Sequence, residues 1–221
     1  MVFQLPDDPY VFPDPHYGDD DGLIAVGGDL SPERLATAYA NGIFPWYGFK
    51  ENEEILWWCP LDRFVIFPNE IHISHTMRQL IKRGTYHATV NHAFNDVIKA
   101  CSTIAHRDEQ RGAWLGNEMI EAYEKMHNLG LASSVEVWDS ENVLVGGLYG
   151  INIGNNFFGE SMFSKAPNAS KFALIHLAHL LTDIAVEQGE EPGLIDCQFE
   201  TAHLKTMGGR HISYDEYMSY I

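Results

Sequence analysis

Apolar and polar positions change period several times along the chain, and each change predicts an element. Residues 1 to about 22 are rich in Pro and Asp, which predicts an extended, turn-filled arm lying on the domain. Ser31 as an N-cap, Pro32 at the first helical position and Gly42 as a left-handed stop predict a short helix over residues 32–41. Ile43 to Tyr47 and Ile55 to Pro60 are aromatic segments around an acidic turn, Glu51 to Glu54, and serve either as core or as a stacking wall. Arg63 to Phe67 predicts a strand that Pro68 ends. A boundary near residue 62 then divides a small N-terminal domain, 1–61, from a larger one, 62–221.

In the larger part, Ser74 caps a predicted helix through Arg83, and Asn91 caps another to about Ser102. A third is predicted from Asn117 to Asn128, stopped by Gly130. Ser133 to Trp138 alternates like a strand, Asp139 to Asn142 is turn material, and Val143 to Ile151 reads as the return strand. A third strand covers Asn156 to Gly159. The loop from Ser164 to Lys171 leads into a long helix with apolar Phe172, Leu174, Ile175, Leu177, Leu180 and Leu181. Leu194 to Gln198 predicts a short strand, followed by a helix near Ala202 to Met207 and a last segment from Ile212 to Ile221.

Two segments set acids in apolar surroundings: Phe157-Phe158-Gly159-Glu160-Ser161-Met162-Phe163 and Leu194-Ile195-Asp196-Cys197-Gln198. A carboxylate among phenylalanines is costly to desolvate unless paired. Glu160 and Asp196 are therefore expected either to face a cleft that takes a cation, or to act as a cap or half of a structural ion pair. Period-2 alternation puts Asp196 and Gln198 on one strand face, with Cys197 on the other. From there the carboxylate can orient the amide so that its carbonyl oxygen accepts a hydrogen bond from an amine.

Composition narrows these options. Of 221 residues, 45% are hydrophobic and 12% aromatic, which predicts a globular fold, and no run approaches the roughly 18–20 apolar residues of a membrane span. Met1 to Asp8 lack the basic start and apolar stretch of a secretory signal, so a cytoplasmic location is expected. Cys59, Cys101 and Cys197 have neither CxxC spacing nor an even number, which argues against a disulfide framework or zinc site. His72/His75 and His176/His179 have helical spacing but no obvious third ligand, so no metal is expected. Gly27-Gly28 matches neither GxGxxG nor GKS/T and reads as a turn.

Fourteen basic against 31 acidic residues give a net charge of −17, which opposes nonspecific nucleic-acid binding. A local patch remains available from Arg78, Lys82, Arg83, Arg111, Lys165 and Lys171. The loop carrying the last two is either a phosphate site at a helix N-terminus or an ordinary capped start with surface lysines.

Gly28-Asp-Leu-Ser-Pro32, Gly42-Ile-Phe-Pro-Trp46, Leu56-Trp-Trp-Cys-Pro60, Trp114, Ser134-Val-Glu-Val-Trp138, Gly146-Gly-Leu-Tyr-Gly150, Phe158-Gly-Glu-Ser-Met-Phe-Ser164, Ala169-Ser-Lys171 and Asp196-Cys-Gln198 follow one another in the order seen in leucyl/phenylalanyl-tRNA–protein transferases. The resemblance covers roughly residues 20–215. It implies an α+β protein: a small N-terminal domain and a larger GNAT-like acyltransferase domain with a mixed sheet flanked by helices. The implied activity moves Leu or Phe, and less efficiently Met, from aminoacyl-tRNA to an N-terminal Arg or Lys of an acceptor protein, marking it for degradation. By resemblance Asp196 and Gln198 are catalytic and Glu160 holds the acceptor. Trp46, Trp114 and Met162 belong to the aminoacyl-adenosine pocket, and Lys165 and Lys171 contact tRNA phosphate. No cofactor is implied, and a monomer is expected.

Three positions depart from the family pattern: Cys59 replaces a common serine, Ala113 a threonine and Lys165 an arginine, which loses bidentate phosphate recognition. Two other readings are an acyl-CoA N-acyltransferase, against which the missing pyrophosphate-loop motif counts, and a non-catalytic adaptor for basic N-termini.

Overall fold

A computed structural model describes residues 1–47, 54–105 and 116–221. The start of the acidic turn at Glu51, and Arg111, Ala113 and Trp114, lie outside the described residues. The N-terminal part comprises β1 (Phe3–Gln4), β2 (Leu23–Val26), α1 (Pro32–Ala40), β3 (Phe44–Tyr47) and β4 (Ile55–Trp58), with sheet order β1-β2-β4-β3. Two details correct the expected arm. Its Phe3–Gln4 pairs in parallel with β2, and Pro15–Tyr17 forms a single 3₁₀ turn. The α1 caps follow the sequence: Ser31 Oγ accepts the Arg34 N–H, and Gly42 has φ +70°.

The second part contains β5 (Asp62–Ile66), α2 (His75–Lys82), β6 (His87–Val90), α3 (Phe94–Ala105), α4 (Asn117–Asn128), β7 (Ala132–Trp138), β8 (Leu144–Ile153) and β9 (Asn156–Ser164). It ends with α5 (Ala169–Gln188), β10 (Ile195–Asp196), α6 (Ala202–Lys205), β11 (Arg210–Ser213) and α7 (Tyr214–Met218). Its seven-stranded sheet has the order β11-β5-β10-β9-β8-β7-β6. Only β10 and β9 run parallel, joined by crossover helix α5; the other neighbours are antiparallel. An antiparallel meander, a helix and one parallel strand make this an α+β fold with a mixed sheet, and helices cover both faces.

Side-chain alternation assigns the faces. Phe157 and Ile195 pack with Leu174, Leu177 and Ala178 of α5, while Phe158 packs with Phe94, Ile98, Tyr123 and Tyr149 on the side of α3 and α4. Each fully buried phenylalanine contributes roughly 1.5–3 kcal/mol relative to exposure. Gly146 lets α5 sit down on the sheet, since a Cβ there would lie 2.5 Å from that of Ala169. By length and composition α5 can cross a bilayer, against the expectation above. Ala173, Leu174, Ile175, Leu177 and Ala178 are nevertheless buried in the protein's own core, as the crossover role requires.

The strand expected over Asn156 to Gly159 continues to Ser164, and a β-bulge is the reason sequence alternation stops there. Gly150 pairs with Gly159 and Tyr149 with Ser161, which leaves Glu160 as the extra residue. Beyond the bulge the faces exchange, so Met162 lies on the α5 side and Phe163 on the other. Gly150 is required opposite the bulge, where a Cβ would come within 2.0 Å of the Phe158 carbonyl oxygen.

The start of α3 is also not the one expected. Instead of an Asn91 cap, the N–H groups of His92 and Ala93 donate to the buried Glu136 carboxylate, which also accepts from Thr89 and Ser134 hydroxyls. Asn91 turns the chain at φ +59° and accepts the Ser134 N–H.

Candidate active site

Asp196 ends β10 on the face opposite Ile195 and is fully buried. Its register partner in β5 is Val65, so Arg63, two residues earlier, shares that face. Arg63 Nε donates to both carboxylate oxygens at 2.9 and 3.1 Å, and Nη2 donates to Oδ2 at 2.6 Å. The Tyr217 hydroxyl of α7 donates to Oδ2 at 2.9 Å. The guanidinium lies between the Phe44 and Tyr217 rings, at 4.9 and 4.8 Å from their centroids. Burial opposes its charge, but Asp196 and Tyr217 outweigh that, and the Arg63 pKa is raised. Asp196 is thus half of a buried ion pair in the core, not a free anion facing a cleft.

The predicted strand through Gln198 is shorter than expected. Gln198 has φ +57°, in the left-handed region, so it does not continue the alternation that would share a face with Asp196. The contact between them runs to the main chain: Gln198 N–H donates to Asp196 Oδ1 at 2.9 Å. On the other side of the turn the Phe64 N–H donates to the Gln198 carbonyl at 3.4 Å.

Glu160 stands in a different setting. Its two carboxyl oxygens lie 2.7 Å from the Tyr39 hydroxyl of α1 and the Tyr123 hydroxyl of α4, and the two phenol oxygens lie 2.6 Å apart, a ring of three contacts that two hydroxyl protons fill only when the carboxyl carries a proton of its own. Burial pushes the Glu160 pKa up to about 7, more than the two tyrosine hydrogen bonds pull it down, and the nearby Asp196 adds to the rise. All three surrounding phenols, Tyr39, Tyr123 and Tyr149, are held well above the usual tyrosine range by burial and then by Glu160. The sequence pattern marks Arg63 only as the start of a strand and singles out none of Arg63, Tyr217, Tyr39 and Tyr123 as site residues. Arg63 carried a usable signal, as the only cation in an apolar strand that had to pair with an equally isolated acid.

A cavity of about 400 Å³ opens on the α5 side of the bulge. Leu148, Phe157, Met162, Leu174, Leu177 and Ile195 make its apolar wall, while Glu160, Gln198, Thr201 and His203 also line it. The His203 Nε2 is buried without a hydrogen-bond partner among the described residues. Burial, and then the charge of Lys171, lower the His203 pKa, favouring the neutral ring.

The structure brings Glu160, Met162 and Gln198 to this cavity but not Asp196, Trp46, Lys165 or Lys171, while Trp114 lies outside the described residues. Trp46 packs on Trp58 and Phe199, with centroids at 6.0 and 5.6 Å, and so touches the residue after Gln198. Lys165 Nζ lies 5.5 Å from the Phe163 ring centroid and lines a separate pocket of about 630 Å³ with Asp96, Lys99 and Ser164. Lys171 is in the first turn of α5, whose cap residue Asn168 is left-handed at φ 65° and makes no side-chain cap bond. Among the described residues, no three His, Cys, Asp or Glu side chains group as a metal-binding set.

Two family models match the chain: leucyl/phenylalanyl-tRNA protein transferase over residues 65–221, and the N-terminal domain of that protein over 28–61. A leucyl/phenylalanyl-tRNA–protein transferase of Anaeromyxobacter dehalogenans strain 2CP-C is 46% identical over 220 residues, 99% of this chain and 89% of the relative. One from Flavobacterium johnsoniae is 50% identical over 208 residues, covering 94% and 93% of the two chains. A GNAT-family acetyltransferase structure from Staphylococcus aureus Mu50 superposes with a TM-score of 0.34 at 13% identity over 47% of this chain and 68% of that one, too loosely to add to the strand order. With one model spanning most of its length and relatives matching nearly end to end, the chain belongs to the leucyl/phenylalanyl-tRNA protein transferase family.

Proposed function

We propose that the protein transfers Leu or Phe, and less efficiently Met, from aminoacyl-tRNA to the α-amine of an N-terminal Arg or Lys on an acceptor protein. The product carries a destabilising N-terminus and enters an N-degron route. The observation that carries this reading is the apolar cavity lined by Glu160 and Gln198, with no cation hydrogen-bonded to the Glu160 carboxyl among the described residues. An apolar wall of Leu148, Phe157, Met162, Leu174 and Leu177 suits a leucyl or phenylalanyl side chain. A carboxyl with a pKa near 7 is available to ionise against the cationic side chain of the acceptor.

In this reading the neutral α-amine attacks the ester carbonyl carbon that joins the amino acid to the tRNA 3′ end. A C–N bond forms, the C–O bond to the ribose breaks, and a proton passes from the nitrogen to the leaving oxygen. The ester is already activated, so holding amine and ester together can supply several kcal/mol of the barrier reduction. Gln198 contacts the attacking amine, and Asp196 fixes the backbone from which Gln198 projects. Trp46, Trp114 and Met162 form the aminoacyl-adenosine site, and Lys165 and Lys171 meet tRNA phosphates. We further propose the division into domains 1–61 and 62–221, a monomeric state and a cytoplasmic location.

The test is to mix the protein with leucine-labelled Leu-tRNA and two peptides, one with a free N-terminal Arg and one acetylated there. Label on the free-Arg peptide alone, dependent on intact tRNA, is expected. No label on either peptide overturns the reading. Transfer should also fall steeply with salt, because phosphate contacts release counterions.

A further inference from the structure

Resting on the reading above, we propose that Arg63 and Tyr217 are positioning residues for the transfer step, acting through Asp196 to hold Gln198 in its left-handed backbone conformation. A carboxylate offers about four lone-pair sites. At Asp196 they are met by Arg63 Nε, Arg63 Nη2, the Tyr217 hydroxyl and the Gln198 N–H, at 2.6 to 3.1 Å. No acceptor site remains for a proton from an incoming amine, and taking one would mean first opening an ion pair sealed in the core. Asp196 is therefore a brace and not a base. The proton lost by the amine goes to the ribose oxygen as the C–O bond breaks, so the step balances with none left on Asp196.

What the brace holds is unusual. A non-glycine residue at φ +57° is sparsely populated and persists only when its surroundings define it. Here both main-chain polar groups of the residue are held, directly or through Asp196, by β5. Its N–H is tied to the carboxylate that Arg63 holds, and its carbonyl accepts from the N–H of Phe64, the next residue along. Tyr217 completes the grip from α7, and Phe44 covers the outer face of the guanidinium from the N-terminal sheet. The segment that aims Gln198 at the cavity thus depends on three side chains, Arg63, Tyr217 and Phe44, that do not line the cavity themselves.

Tyr217→Phe removes one bond to Asp196 and keeps the ring against Arg63, so it is the variant of choice; Arg63→Lys is the stronger companion. Single-turnover transfer from Leu-tRNA to an Arg-initiated peptide is followed for the wild type, Tyr217→Phe, Gln198→Ala and the double variant. We expect Tyr217→Phe to slow transfer about tenfold with unchanged half-saturating concentrations of both substrates. In the Gln198→Ala background the same change should have no further effect, since residues acting as a unit are not additive. The pH profile of the rate should keep its shape. Equal slowing in both backgrounds would assign Tyr217 a general structural role and overturn the proposal, as would an unchanged rate or an acid limb displaced by Tyr217→Phe. Absence of transfer by the wild type would instead remove the functional reading, and this proposal with it.

Discussion

Asp196, fully buried, and Glu160, partly buried, are carboxyls on neighbouring parallel strands, yet they are solvated by the protein in opposite ways. Asp196 is matched by a guanidinium in bidentate contact, and its lone pairs are filled. Glu160 has two phenols as hydrogen-bond partners, which stabilise charge only in part, so burial keeps its pKa near 7. The difference separates structure from recognition. A charge that the protein has already neutralised can shape a site, whereas an incompletely compensated one can still be completed by a ligand. Glu160 is also the bulge residue, and the bulge aims it out of the regular ladder.

The largest effect expected from this contrast is on stability. Arg63→Met should cost about 3–5 kcal/mol, because it strands Asp196 as a buried anion. Glu160→Gln should be close to neutral, as one tyrosine can still donate to the amide oxygen while the other accepts from the amide NH2; chemical denaturation of both variants measures this. Equal losses would erase the distinction. Next comes recognition: Glu160→Gln should lower kcat/KM for an Arg-initiated peptide roughly tenfold to a hundredfold, about 1.4–2.7 kcal/mol. The loss should fall on the acceptor, with the KM for Leu-tRNA unchanged.

A smaller effect sharpens the same comparison through pH. The folded-state pKa of Glu160, about 7, lies above its ordinary value of 4.5, so the folded protein holds that proton more tightly than the unfolded chain. Its contribution to stability is fully present below about pH 4.5 and is lost as pH rises through about 7. The difference in Tm between the wild type and Glu160→Gln should therefore move against the wild type across that window, and a flat difference would contradict the assignment. Smallest of all, Met162→Ala should widen the cavity and shift donor preference from Leu toward Phe by a few-fold, below the roughly 1–3 kcal/mol ceiling that a change of pocket size provides. Competition between the two charged tRNAs reads it directly.

Much of the local structure was legible in the sequence because its signals are local. Ser31 with Pro32, Ser74, Gly42 and Gly130 mark helix ends through capping geometry, and α4 runs over the predicted Asn117–Asn128. The family and the α+β architecture followed from ordered motifs. What escaped depends on distant partners. The bulge at Glu160 exists because of β8, the α3 cap is supplied by Glu136 from β7, and Arg63 meets Asp196 across 133 positions. Strand alternation likewise predicted one face for Asp196 and Gln198, and failed because a main-chain hydrogen bond to the acid turns the chain first. Helical and strand periods describe one segment at a time, so they cannot announce a contact between two segments.

The most direct test of the division between the two acids uses peptides that differ only at residue one, Arg or its uncharged isostere citrulline, with Leu-tRNA as donor. For the wild type, kcat/KM should favour Arg by about tenfold or more, and Glu160→Gln should abolish that preference while Tyr217→Phe, slower on both peptides, should retain it. Preference unchanged in Glu160→Gln, or lost in Tyr217→Phe, would contradict the account.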